Sequence, residues 1–535
     1  MSDNLKIKNH SVSLEVENLD NILKDAVLNT GLYKNAVMLQ KSEEQLENPN
    51  ILLGDSVTTN GWDSVYAIRA NYLNLAIQEK HTSPPNFSQD LDDSGDIFKV
   101  DGNFGDWQII EGGDGSNVNM KIPIKDGIYT SSTGKQISLN DVSAVVQVKL
   151  AYFPEVLSEQ FEDGSYDLKI NTTQTNQQNP VVSLLYMNFP PDSKISTINK
   201  AIIQSMLQLW LNDNLKAFDN VFSTVYLKNL SSGEDFKWLK TTYMSYAYTD
   251  NGTLNSSVFG VLCMTNNRSA DALSHQITSV AFEKDDSSVF IINTQLFLKY
   301  QFLPGVQQDF SKDKDKFVLN ENMITAKNLS MEGIKYGCIT YHPKIDNFMV
   351  SFEPTQIRTT THISVNISPG IDAYIDMDSF QTLELTVNDK GEQCLTYANL
   401  GEPIVIHRVV TDPAIIITEI ILSGIVAICG ILIERVVKDV VNRVIVGIVV
   451  AVVIAAINGI SQIISNCIAN GVANNVPSIS TLVKIATNQI AWPLCDPNDP
   501  DRYVLRTVVY NGGIILKGDP GFIESSNTNQ EASNY

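Results

Sequence analysis

Histidine is the side chain best placed to move protons or hold a transition metal near neutral pH, and the chain has six: His10, His81, His275, His342, His362 and His407. Their separations match no metal-ligand spacing, so each reads as an ordinary strand or loop residue. The chain also lacks the His-Glu-x-x-His helix of zinc hydrolases, the Gly-x-Ser-x-Gly nucleophile elbow, the Gly-rich phosphate loop ending in Lys and Ser or Thr, and the dinucleotide fingerprint. The acidic stretch 106 to 114 lacks the ordered carboxylates and terminal Glu of a calcium hand and reads as a solvated turn. The expectation is a protein with no catalytic residues, no metal and no cofactor. Six cysteines, Cys263, Cys338, Cys394, Cys429, Cys467 and Cys495, are scattered without a Cys-x-x-Cys pair and read as mostly reduced thiols.

Charge excludes another class. The 535 residues hold 38 Lys and Arg against 60 Asp and Glu, a net of −22, which repels nucleic acid and anionic bilayers at long range. Apolar residues at 43% and charged residues at 18% describe a chain that folds. Residues 1 to 10 have no apolar segment of a secretory signal, so the expectation is synthesis in the cytoplasm and release by a non-classical route or lysis.

Periodicity outlines the elements. Residues 1 to 50 read as a helical extension and linker, with Leu14, Leu19, Ile22, Leu23, Ala26 and Val27 at roughly helical spacing. Over residues 62 to 77, Val65, Ile68, Tyr72 and Leu75 predict one stripe of an amphipathic helix. Residues 84 to 126, rich in Gly, Asp and Ser, predict turns and short strands. Alternation at 144 to 150 predicts a strand, as do 166 to 172, 181 to 189, 223 to 230, 257 to 264 and 289 to 300. A second helix is expected over 195 to 215, where Ile195, Ile198, Ile202, Met206 and Leu209 repeat at three- and four-residue steps. Three meander strands follow, at 363 to 367, 371 to 377 and 383 to 387, with Ser368-Pro369-Gly370 as the first turn.

Past Pro413 the composition changes: residues 414 to 433 hold one charge, Glu419, and residues 444 to 457 hold none. Gly447, Ala451, Ala455 and Gly459 repeat every four residues and would let a second backbone approach closely, as between membrane helices. With residues 434 to 443 as its polar tip, the region 414 to 464 reads as a membrane-inserting hairpin. The competing reading is a buried helical region over 414 to 475, because each clean apolar core is shorter than the roughly 20 residues a span needs. The length argument favours burial.

Several stretches together resemble a known group: Gly61-Trp62-Asp63 with Val65-Tyr66-Ala67-Ile68; Trp107-Gln108-Ile109 followed by Gly112-Gly113 and Met120-Lys121-Ile122-Pro123-Ile124; Trp238-Leu239-Lys240 with Tyr246-Ala247-Tyr248; Ser257-Val258-Phe259-Gly260-Val261-Leu262-Cys263-Met264; and Val365-Asn366-Ile367-Ser368-Pro369-Gly370-Ile371. These resemble the clostridial accessory proteins of botulinum neurotoxin clusters, the OrfX and forty-seven-kilodalton families. The resemblance runs in order from about residue 60 to 522 and leaves out the first 50 residues and the tail 523 to 535, which is expected to be disordered.

The resemblance implies an α+β, TULIP-like (tubular lipid-binding) fold, with long helices in the concave face of a highly curved antiparallel sheet over residues 51 to 522. It also implies a non-enzymatic accessory of a bacterial toxin or insecticidal system. Implied partners are lipid or phosphoinositide and sibling cluster proteins, with no nucleic acid and with membrane contact that is not constitutive. The alternative is a membrane-inserting, pore-forming toxin component using 414 to 464. Val65, Ile68, Tyr72, Ile202, Met206 and Leu209 are the candidate lipid-groove residues by periodicity. Gly447, Ala451, Ala455 and Gly459 are the candidate membrane or helix-packing residues.

Overall fold

β-Branched and aromatic residues fit a pleated, half-buried surface better than a helix, and the computed structural model is accordingly mostly antiparallel sheet. It describes residues 56–150, 180–191, 193, 195–218, 237–239, 241–336, 338–387, 393–412 and 503–520, with the short pieces 155–157, 168–170, 224–225, 430–431 and 490–491. The extension 1 to 50, the tail 523 to 535 and, apart from 430–431, the apolar region 414 to 475 with Gly447, Ala451, Ala455 and Gly459 lie outside the described residues.

The first sheet has eight strands in the order Tyr503–Tyr510, Gly513–Pro520, Ser288–Asn293, Ser64–Arg69, Val258–Thr265, Thr241–Thr249, Glu155–Leu157 and Leu168–Ile170. Its centre is covered on both faces, so Val258–Thr265 is buried at every position and reads as a continuous apolar run. Tyr66 and Ile68 face the main core, while Val65 and Ala67 face a smaller core with Trp62, Leu262 and Ile291.

The second sheet has seven strands. Its path runs Val182–Asn188, Ser143–Lys149, Asn117–Thr130, Asp96–Phe104 and Asn86–Asp93, and Gln108–Asp114 and Gln136–Ser138 also pair with Asn117–Thr130. The helix Thr197–Asp213 touches both the first and the last strand of this path, so the sheet curves around it as a half-barrel. Ser196 caps that helix by accepting from the Asn199 amide at 3.3 Å. Its buried face is Ile203, Met206, Leu207, Trp210 and Leu211, and the Trp210 ring meets Phe87 and Phe104.

The third sheet runs Val318–Asn320, Met323–Ser330, Lys344–Phe352, Ile357–Ser368, Ile371–Val387 and Gln393–Asn399, and Ile404–Thr411 pairs with the first half of Ile371–Val387. The turn at Ser368-Pro369-Gly370 stands where the sequence predicts it, with Gly370 at φ 76°, the left-handed region that glycine enters without strain. One connected apolar core reaches from Tyr66 through all three sheets to Leu516.

Four expectations change. Residues 62 to 77 are not one helix: Ser64–Arg69 is a strand paired on both sides, and the helix is Ala70–Lys80. The unbroken run Val65-Tyr66-Ala67-Ile68 satisfies a helical stripe and a doubly buried strand equally well, and pairing with two neighbours decides for the strand. Residues 84 to 126 form long strands rather than short ones, up to the 14 residues of Asn117–Thr130. Residues 371 to 387 are one strand of 17 residues, not two.

The strand expected at 289 to 300 stops at Asn293, whose side chain accepts from the amides of Gln295 and Leu296 and starts a helical run to Asp309. That run passes through a wider π-helical segment, Leu298–Phe302. Pro304, just beyond, has no N–H to give to the carbonyl four residues back, which is a physical reason for the wider turn.

Candidate functional site

The residues that carry the family resemblance are spread over all three sheets, and several of them do structural work. The Trp62 ring is fully buried, donates from Nε1 to the Ser274 carbonyl at 2.9 Å, and stacks on Tyr243. Next to it the buried Asp63 carboxylate accepts from the Thr265 amide at 2.8 Å and the Thr265 hydroxyl at 2.9 Å, and pairs with Arg268. Trp107 is buried against Phe104 and Phe218. A Cβ on Gly113 would stand 2.6 Å from the Asn117 carbonyl oxygen, a close approach that only glycine permits.

The periodicity-derived groove residues are not brought together. Val65 and Ile68 belong to opposite faces of the first sheet, in different cores. Tyr72 is half-buried on the helix Ala70–Lys80, where Ala70, Leu73, Ala76 and Ile77 form the buried face. On the helix Thr197–Asp213 the buried stripe sits one residue away from the expected one. Met206 is fully buried and Ile202 half-buried, whereas Ile198 is 73% exposed.

Leu209 alone reaches a surface groove, of about 640 Å³, between this helix and the edge strand Val182–Asn188. Leu184, Leu185, Gln204, Gln208 and Asn212 help to line it, and no basic residue does. A register shift between Leu184 and Tyr186 leaves Leu185 as the extra residue of a bulge, turned outward and 46% exposed.

The polar wall of that groove was not anticipated. Asn212 Oδ1 accepts from the Val182 amide at 3.1 Å while its Nδ2 donates to the Val182 carbonyl at 2.8 Å. One turn earlier, Gln208 Oε1 accepts from the Leu184 amide at 3.2 Å. Two carboxamides, four residues apart on the helix, thus complete the hydrogen bonds of a sheet edge that otherwise presents unpaired backbone groups. The spacing Gln204, Gln208, Asn212 was the signal available in the sequence.

The titratable groups described are set by burial and local pairing. Among the described residues no cluster of His, Cys, Asp and Glu could hold a metal ion. Burial lowers the His275 pKa below its ordinary value, and its Nε2 lies 3.1 Å from the Ser245 hydroxyl. Burial pushes the Tyr510 hydroxyl up to about 12. Burial also works to raise the Asp378 carboxyl, but hydrogen bonds from Arg358 and Thr360 outweigh it and hold the group below the usual range. Cys263 is buried, and Cys338 is an exposed free thiol. No helix among the described residues is long and apolar enough to cross a membrane.

Known proteins share this framework. A family model described as OrfX-like, Protein OrfX2/OrfX3/P47, matches residues 59–518. Protein OrfX3 of Paraclostridium bifermentans is 29% identical over 498 residues, covering 86% of this chain and 98% of that protein. Protein OrfX3 of Clostridium botulinum (strain Kyoto / Type A2) is 32% identical over 416 residues, covering 71% and 83%. The structure of P47 from Clostridium botulinum A2 superposes with a TM-score of 0.59 at 16% identity, over 87% of this chain and 98% of that one, and shares the fold. With its match to the family model extending from the first central strand to the last, the chain belongs to the OrfX-like family of OrfX2, OrfX3 and P47 proteins.

Proposed function

We propose that the chain is a non-enzymatic accessory component of a bacterial toxin or insecticidal gene cluster that recognises lipid, phosphoinositide included, through a TULIP-like fold. The observation that carries this reading is the half-barrel: a sheet curved around one long helix whose inner face is apolar, in a chain similar along most of its length to clostridial OrfX3 proteins. Synthesis in the bacterial cytoplasm and release by a non-classical route or lysis belong to the same proposal. Flotation of the full chain with neutral and with phosphoinositide-containing vesicles, each holding an entrapped dye, tests it. The reading expects flotation without dye release. Dye release would instead favour the membrane-inserting alternative built on residues 414 to 464.

A second reading, binding of sibling cluster proteins, is favoured by the strand Ile404–Thr411. Among the described residues it pairs on one side only, and Ile404, Ile406 and Val410 are 41%, 61% and 51% exposed. An exposed apolar edge strand is a template for association. Ile406→Lys should then abolish co-purification with sibling proteins while leaving lipid flotation intact, and unchanged recovery would count against that edge.

A further inference from the structure

The groove between the helix Thr197–Asp213 and the edge strand Val182–Asn188 has a wall that reads an extended backbone. Asn212 bonds both the amide and the carbonyl of Val182, and Gln208, one turn earlier, accepts from the Leu184 amide. Each step of this ladder is two residues on the strand and four on the helix, about 6.6 Å and 6 Å, so the two stay in register. Gln204 stands at the next step. The bulge at Leu185 moves the strand out of phase there, and Gln204 has no hydrogen-bond partner among the described residues.

To an occupant the groove offers the Gln204 carboxamide, the apolar side chains of Leu184, Leu185 and Leu209, and the exposed Asp213, the one charge among its lining residues. At strand rise, strand spacing and sheet spacing an extended residue takes about 160 Å³. The groove's volume of about 640 Å³ therefore holds about four of them. Four extended residues are about 13 Å long, close to the rise of about 12 Å from Gln204 to Asn212 along the helix. Apolar groups belong on the leucines and a cation beside Asp213, so the fitting occupant alternates apolar and basic side chains. The pattern apolar-Lys-apolar-Lys occurs once in the sequence, at Leu5-Lys6-Ile7-Lys8, ahead of the helical stripe that begins at Leu14. Residues 9 to 55 connect it to Ser56, the first described residue, and these 47 residues reach up to about 150 Å. A compact domain of this size has a radius of gyration of about 23 Å, so the connection spans it with ease.

We propose that the groove is the docking site for the segment Leu5-Lys6-Ile7-Lys8 of the same chain. Leu5 and Ile7 lie on Leu184, Leu185 and Leu209, the lysines point the other way with one beside Asp213, and Gln204 bonds the segment's backbone as Asn212 bonds that of Val182. Docked there, the segment covers Leu185 and closes the part of the edge that the carboxamide ladder leaves open, which would otherwise be a template for association. The docking depends on neither lipid recognition nor the open edge of Ile404–Thr411.

The test puts the photo-crosslinker benzoylphenylalanine in place of Ile7 in the full chain and maps its adducts by mass spectrometry after irradiation at low protein concentration. Docking predicts adducts concentrated on Leu185 and on residues 201 to 216, which include Leu209. Lys6→Glu with Lys8→Glu should lower that yield about threefold, the scale of an exposed ion pair, and adding Asp213→Lys should restore it. Leu185→Asp, at an exposed position, should abolish the groove adducts. Should that variant not fold, the charge reversal and its rescue decide alone. Adducts spread over the surface or centred elsewhere overturn the inference, as does unchanged yield in variants that melt cooperatively. Groove adducts that join labelled to unlabelled chains in an equimolar nitrogen-15 mixture also overturn it, because the occupant is then a second copy.

Discussion

The centre of the first sheet and the inner face of the third both bury polar side chains, and they treat them in opposite ways. At the first centre the buried Asp63 has the Thr265 amide and hydroxyl and the Arg268 guanidinium around it. Lys517, equally enclosed, reaches Glu283 at 2.6 Å and Asp286 at 2.9 Å. On the third sheet the hydroxyls of Thr359, Thr361 and Ser379 are enclosed without any described partner. Satisfied polar groups lock a fold, whereas unsatisfied ones cost stability. The enclosed groups around Asp63 and Lys517 therefore hold the first sheet together, whereas the enclosed hydroxyls of the third sheet cost stability where they stand.

The largest effect that would break this comparison is at Trp62. Trp62→Ala removes a fully buried ring and the bond to Ser274, and should cost about 4 kcal/mol in denaturant unfolding; a loss under about 1 kcal/mol would mean that the first centre is not the rigid part. Arg268→Ala leaves Asp63 buried with only its Thr265 bonds. Because Arg268 itself is half-exposed, the expected loss is about 2 kcal/mol rather than the larger cost of splitting a fully enclosed pair.

Thr359→Val should act with the opposite sign. It replaces an unpartnered hydroxyl with a methyl group of the same shape and should raise stability by about 1 kcal/mol. A loss of stability there would mean that the hydroxyl has a structural partner after all. The smallest effect is pH-dependent. Burial lowers the His275 pKa from its ordinary 6.5, so the unfolded chain takes up that proton more readily. The neutral ring contributes its full stability above pH 6.5, and this is lost as pH falls through 6.5 towards the lower folded value. Melting curves of the wild type and of His275→Asn should diverge less at pH 5 than at pH 7.5, and parallel curves would remove His275 from the account.

Legibility in the sequence followed how many constraints a segment obeys. The strand Ser143–Lys149 and the helix Thr197–Asp213 were readable because their periods are unambiguous. Val65-Tyr66-Ala67-Ile68 was not, because burial on both faces erases alternation and leaves only composition. The helical run from Thr294 was hidden by its strand-like entry and by Pro304, and its real start signal was the Asn293 cap. Within the candidate sites, Leu209 was legible as an apolar helix position. The carboxamide wall of Gln208 and Asn212 depends on a strand about 24 to 30 residues away, and the Thr359 and Ser379 pairing depends on register, which a single strand pattern does not reveal.

The most direct test of lipid recognition is mass spectrometry of the organic extract from natively purified full-length protein. The lipid-recognising reading predicts that a lipid co-purifies with the folded protein in repeated preparations. Repeated lipid-free extracts from folded protein would contradict it and leave the half-barrel as a scaffold for protein partners.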